Sequence, residues 1–212
     1  IAPVSRGPWV GVAALLVIFI ATGRRAVPRV LTLVLASTLT FSVIAMLPGG
    51  ERVINLLPFI GTAEKETQTY REELLRKSII VIDRSPWFGS IDYIKTPEMQ
   101  SMMQGQGIVD IVNAYIGLAL ETGYVGMGLF VSFFALTILN IYRTIRSIPD
   151  KESEECQLGR ALLAILLSIM LMIFIVSAIS IIPIVYWAVA GLGGAYVQMM
   201  RKRPQPTGLG AR

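Results

Sequence analysis

Asp110–Gly128, DIVNAYIGLALETGYVGMG, is the stretch on which the reading of this chain turns. It opens an apolar run that continues to Ile141. Within it, Asp110, Asn113, Gly117, Glu121 and Tyr124 are spaced three, four, four and three residues apart. On a helix that spacing makes one face. Ionisable groups at a bilayer edge are expensive, and their default meaning is functional. Structural readings stand beside the functional one. Asp110 and Asn113 suit the cap of a helix, and Gly117, Gly123, Gly126 and Gly128 admit a neighbouring helix or a lipid-linked substrate. Capping does not reach Glu121, about three turns in. A buried Glu121 would have to be protonated or paired with an arginine.

Outward from this stretch the chain is apolar. Of 212 residues, 54% are hydrophobic and 16% charged, which is a polytopic membrane protein's composition. The net charge of +5 is spread over the ends of apolar runs, so it speaks for membrane orientation and not for nucleic acid. One cysteine, Cys156, excludes an internal disulfide, and the absence of histidine removes the commonest general base and metal ligand. Five runs approach spanning length: Pro8–Thr22, Val30–Leu47, Ile108–Ile141, Ala161–Ile179 and Ile181–Met200. The first is short and is expected to draw Arg6 toward the membrane edge. It lacks a signal peptide's basic lead-in and cleavage site, and the chain is expected to be the C-terminal part of a larger protein whose N-terminal helices are its partners.

Arg24, Arg25 and Arg29, then Arg143, Arg146, Lys151 and Arg160, then Arg201, Lys202 and Arg203 fall on one side of a five-span layout. The positive-inside rule makes that side cytoplasmic. The expected organisation is two transmembrane helices in residues 1–47, a periplasmic loop domain in 48–107, three transmembrane helices in 108–200 with a cytoplasmic loop near 143–160, and a basic cytoplasmic tail in 201–212. The outer loop carries seven basic and eight acidic residues and is too long for a mere connection. Thr69 and Glu72 resemble a capping box. Tyr70, Leu74, Ser78 and Ile82 then form a stripe, so an amphipathic helix is expected near Tyr70–Asp83. Ser85–Gly89, SPWFG, reads as a turn, and Pro97–Gly107 as a mobile loop. The long third run is expected to extend above the bilayer, or to break near Gly117 or Gly123.

Four features together resemble the O-antigen ligase and O-antigen polymerase family. They are SRG at Ser5–Gly7, Arg71 in TYREELL, SPWFG, and VNAYIGLALETGYVG at Val112–Gly126. The likeness covers roughly Ile1 to Phe130. It implies an all-α membrane protein of the GT-C class in the bacterial inner membrane. Such enzymes act at the periplasmic face on a polyprenyl-diphosphate-linked oligosaccharide. The family's ligases carry His-Asn, nine residues, Gly, two residues, Gly. Asn113, Gly123 and Gly126 keep that spacing, and Val112 stands where the histidine would be. That departure moves the expectation from a ligase toward a polymerase of O-antigen or exopolysaccharide units.

The resemblance also implies that Arg6 and Arg71 grip the donor's diphosphate, as guanidinium groups do in a bidentate fork. Each has an ordinary structural reading too: an interface anchor for Arg6 and a solvated helix face for Arg71. Charge placed where the leaving group's charge grows lowers the barrier, so no metal and no other cofactor is expected. Asp110, ahead of Glu121, is the candidate base for the acceptor hydroxyl. Trp87, Phe88 and Tyr93 are candidates for stacking on sugars, and Trp87 equally for a bilayer anchor. A ligase serving a lipid or protein acceptor, and a glycan or lipid transporter gated by the outer loop, remain as alternatives.

Overall fold

A computed structural model describes residues 7–23, 26–46, 64–105, 107–176 and 181–202. Arg6, Arg24, Arg25, Arg203, the outer loop before Glu64, and residues 177–180 lie outside the described residues. The regular elements are helical: α1 Gly7–Ala21, α2 Ala26–Met46, α3 Glu64–Arg84, a short α4 Pro97–Gln100, α5 Ala114–Ser147, α6 Glu154–Met172 and α7 Ile182–Lys202. Helices α2, α5, α6 and α7 are long and apolar enough to cross a membrane. Helix α1 has 15 residues. At about 1.5 Å per residue it falls short of a hydrocarbon layer of about 30 Å. The result is an all-α membrane protein with four spanning-length helices among the described residues, where sequence suggested about five.

The core lies between α5, α6 and α7, around Phe134, Ile141, Leu163, Leu166, Ile173 and Tyr186. Small residues let these helices meet. A side chain at Gly193 would strike Ile141, and one at Gly159 would strike the Tyr196 hydroxyl, which instead donates to the Glu155 carbonyl at 3.1 Å. Helix α1 packs along α6. Its orphan C-terminal carbonyls are met by Arg160, buried on α6: Nη2 donates to Phe19 O at 2.7 Å, and the guanidinium stacks over the Phe19 ring at 4.7 Å. Lys151 closes the end of α5 by donating to Ile145 O at 2.9 Å and Ile148 O at 2.6 Å. These contacts gather Arg143, Arg146, Lys151, Arg160, Arg201 and Lys202 at one end of the bundle.

At the opposite end, α3 lies against the start of α5. The expected stripe is buried there: Leu74, Ser78 and Ile82 are nearly inaccessible, and Val81 joins them. The helix starts earlier than the sequence suggests. Glu64 precedes Thr69 by more than a turn, so Thr69 and Glu72 sit inside the helix and form no capping box. Pro97–Gly107 also differs from a mobile loop over much of its length. Met99 is fully buried, Glu98 forms a two-pronged ion pair with Arg84, and Lys77 donates to Ser101 Oγ at 2.8 Å.

Candidate active site at a broken helix

Helix α5 is two helices joined at Gly123, whose φ of 68° and ψ of −170° are open only to glycine. The break leaves the amides of Tyr124 and Val125 without partners in their own helix. The Ser85–Gly89 turn supplies them. Tyr124 N donates to Pro86 O at 2.7 Å and Val125 N to Trp87 O at 3.2 Å. On the other side of the break, Ser90 N donates to Leu120 O at 2.9 Å. The two backbones touch: a Cβ at Gly123 would lie 2.4 Å from the Trp87 carbonyl, and one at Gly89, itself at φ +63°, 2.6 Å from the Glu121 carbonyl. The kink also folds Thr122 over Gly126, where a Cβ would meet Thr122 Oγ1 at 2.1 Å.

The first half-helix is opened by Asn113, whose side chain accepts from Tyr115 N at 2.9 Å and Ile116 N at 3.2 Å. The spacing Asn, nine residues, Gly, two residues, Gly thus has a physical basis. It is one half-helix from cap to break, then one turn to the residue that must be small. The cap expected of Asp110 and Asn113 together belongs to Asn113. Asp110 precedes the helix and is not on its face. Gly117 and Gly128 make no close approach, unlike Gly123 and Gly126.

Two cavities flank this half-helix and share Asn113 as a wall. One, of about 370 Å³, is edged by Asp110, Glu121, Tyr93 and Tyr186. Glu121 lines it, is exposed, and makes no ion pair among the described residues. The Tyr93 hydroxyl is held above its ordinary pKa, first by burial and then by the negative charge of Glu121. The other cavity, of about 460 Å³, runs between α3 and α5. Its lining is mostly apolar, including Leu74, Ile79, Ile116 and Phe174, with Arg71 at its edge. Arg71 Nη2 donates to Ile175 O at 3.3 Å, and its neighbour Tyr70 donates its hydroxyl proton to Asp110 O at 3.0 Å.

The structure therefore brings Asp110, Glu121 and Asn113 to one cavity, and Arg71 and Asn113 to the other. Arg6 lies outside the described residues. Val112 lines the Arg71 cavity while Asp110 lines the other, so Asp110 does not take the place of a histidine at 112. Lys77 is engaged with Glu73 and Arg84 with Glu98, and among the described residues Arg71 is the cation that lines these two cavities. Of the aromatic candidates Tyr93 lines one of these two cavities, and Trp87 and Phe88 line neither. The latch between SPWFG and Gly123 escaped the sequence reading, although glycines at 89 and 123 were its visible trace. The model of one protein family, described as O-antigen ligase, matches residues 1–131. Neither curated proteins nor solved structures give a match.

Proposed function

This chain belongs to the O-antigen ligase family, and from that premise we propose that it polymerises polyprenyl-diphosphate-linked glycan units at the periplasmic face of the inner membrane. The observation that carries the reading is the pair of cavities meeting at Asn113. One is apolar with a guanidinium at its edge, which suits a lipid diphosphate. The other bears carboxylates and a phenol, which suits a sugar bearing hydroxyls. The basic end of the bundle lies on the far side, and the positive-inside rule assigns that end to the cytoplasm.

In the reaction, an acceptor hydroxyl oxygen attacks the anomeric carbon of the donor sugar. The bond from that carbon to the diphosphate oxygen breaks, and the diphosphate departs with the electron pair. Arg71 meets the growing charge, joined by Arg6. Asp110, which lines the acceptor cavity, takes the hydroxyl proton, and the bond from Tyr70 to its backbone keeps it near the turn of α3 that carries Arg71. Glu121 and Tyr93 hold the acceptor sugar. Asn113 and its cap keep the half-helix that separates the two substrates. No step calls for a metal ion. Val112 in the histidine position favours a polymerase over a ligase, since the ligase's activating imidazole is absent.

The test is polymer formation in cells carrying the full-length protein. Arg71→Gln and Asp110→Asn should each abolish polymer at normal membrane abundance, and Glu121→Gln should shorten it. Unchanged polymer in both of the first two variants refutes the assignment. A single glycan block on a lipid or protein acceptor, in place of a ladder, identifies a ligase.

A further inference from the structure

The Ser85–Ile91 turn exposes its largest apolar side chains: Trp87 is 66% accessible, Phe88 77% and Ile91 83%. The backbone that carries them is fixed. The turn's backbone is seated on Gly123 and holds Tyr124 and Val125, and Gly89 N donates to Ser85 O at 2.9 Å. Their exposure is imposed by the same contacts that cap the second half of α5. Trp87 and Phe88 line neither of the two cavities described above.

We propose that this turn is a membrane-interface anchor: Trp87, Phe88 and Ile91 insert among the lipid headgroups of the leaflet opposite the basic end, and hold the helix break at that depth. The depth follows from the helix itself. Gly123 and Arg143 stand twenty residues apart. At about 1.5 Å per residue that is about 30 Å, one hydrocarbon thickness. With Arg143 and Arg146 at one boundary, the break lies at the other, where indole rings favour the headgroup layer. The patch also continues a lipid-facing surface. Below the break, Val125, Leu129 and Leu136 are exposed along one face of α5, and Trp87 is bonded to the first of them. Lipid is the occupant that this continuity selects. A glycan or a second protein would meet a face that runs straight into hydrocarbon.

The full-length protein is reconstituted in phosphatidylcholine vesicles whose chains are brominated either near the headgroup or near the methyl end. The difference between wild type and Trp87→Phe isolates the emission of Trp87. The expected result is strong quenching by the shallow bromines, weaker quenching by the deep ones, and little by aqueous acrylamide. Full acrylamide quenching with no bromine effect overturns the proposal. So does shielding from both quenchers, which means a glycan or protein covers the site. A nitroxide at Phe88→Cys gives an independent depth. Collision with oxygen should exceed collision with an aqueous nickel chelate, and the reverse overturns the proposal even if Trp87→Phe misfolds.

Discussion

Replacing Gly123 by alanine attacks the feature on which the site depends. The residue sits at φ 68° and ψ −170°, a region that costs a side chain about 1–3 kcal/mol. Its new Cβ would lie 2.4 Å from Trp87 C and O and 2.5 Å from Phe88 N. Those atoms are backbone and cannot rotate away, so the turn must lift. Lifting breaks the bonds from Tyr124 N and Val125 N, each worth about 0.5–1.5 kcal/mol. Together the local cost is about 2–6 kcal/mol. Since about 1.4 kcal/mol is a factor of ten, the amides of Tyr124 and Val125 should exchange with deuterium at least about thirtyfold faster. Gly128→Ala is the control: nothing lies within 4 Å of its added carbon, and helix propensity gains up to about 1 kcal/mol. Exchange by mass spectrometry on full-length protein in detergent reads both. Polymer in cells should fall for Gly123→Ala and persist for Gly128→Ala. Identical exchange and identical polymer in the two variants would refute the latch.

Asn113→Ala removes the cap of the half-helix and should cost about 0.5–2 kcal/mol, whereas Asn113→Asp keeps an acceptor for Tyr115 N and Ile116 N and should hold its melting temperature. Ser78 is fully buried and its hydroxyl has no partner among the described residues. Ser78→Ala should therefore melt no lower than wild type, and Ser78→Leu, which overfills the α3–α5 seam, should melt lower. The Glu98 carboxyl is held below its usual 4.5 chiefly by the hydrogen bond from Arg84. A lowered folded-state pKa gives stability that is present above the unfolded value and lost as pH falls through the folded one. Exchange in the Pro97–Gln100 segment, taken relative to the intrinsic rate of an unprotected amide at the same pH, should accordingly rise below about pH 4.5. In Glu98→Gln it should already be raised at neutral pH and show less of this acid response.

The membrane class and the amphipathic outer helix were legible because hydrophobic runs and a helical stripe are local signals. Leu74, Ser78 and Ile82 are buried as their spacing implies. The break in the long third run is half legible: glycine at 123 makes a weak point in the run, and only its contact with Trp87 and Phe88 explains why glycine must be there. A helical face from Asp110 to Tyr124 was a misreading. Periodicity carries no sign of where a helix starts, and the cap at Asn113 and the break at Gly123 cut that face at both ends. Tyr124 accordingly lines the Arg71 cavity and not the carboxylate one. The start of α3 was misplaced for a related reason, since Thr69 and Glu72 fit a capping box and equally fit the interior of a helix. The two cavities could not be read at all. They arise from segments that meet across long stretches of sequence, 40 residues between Tyr70 and Asp110 and 104 between Arg71 and Ile175, which no local pattern encodes.

Glycosyl transfer is proposed to run between two lipid-linked substrates across Asn113. The most direct measurement supplies purified full-length protein, in detergent and without a membrane gradient, with a defined polyprenyl-diphosphate-linked oligosaccharide. The products are then resolved by size, with and without a metal chelator. A ladder of longer lipid-linked glycans and released polyprenyl diphosphate is expected, indifferent to chelator and abolished by Arg71→Gln. No transfer by the intact protein, or an equal ladder from Arg71→Gln, would contradict the proposal.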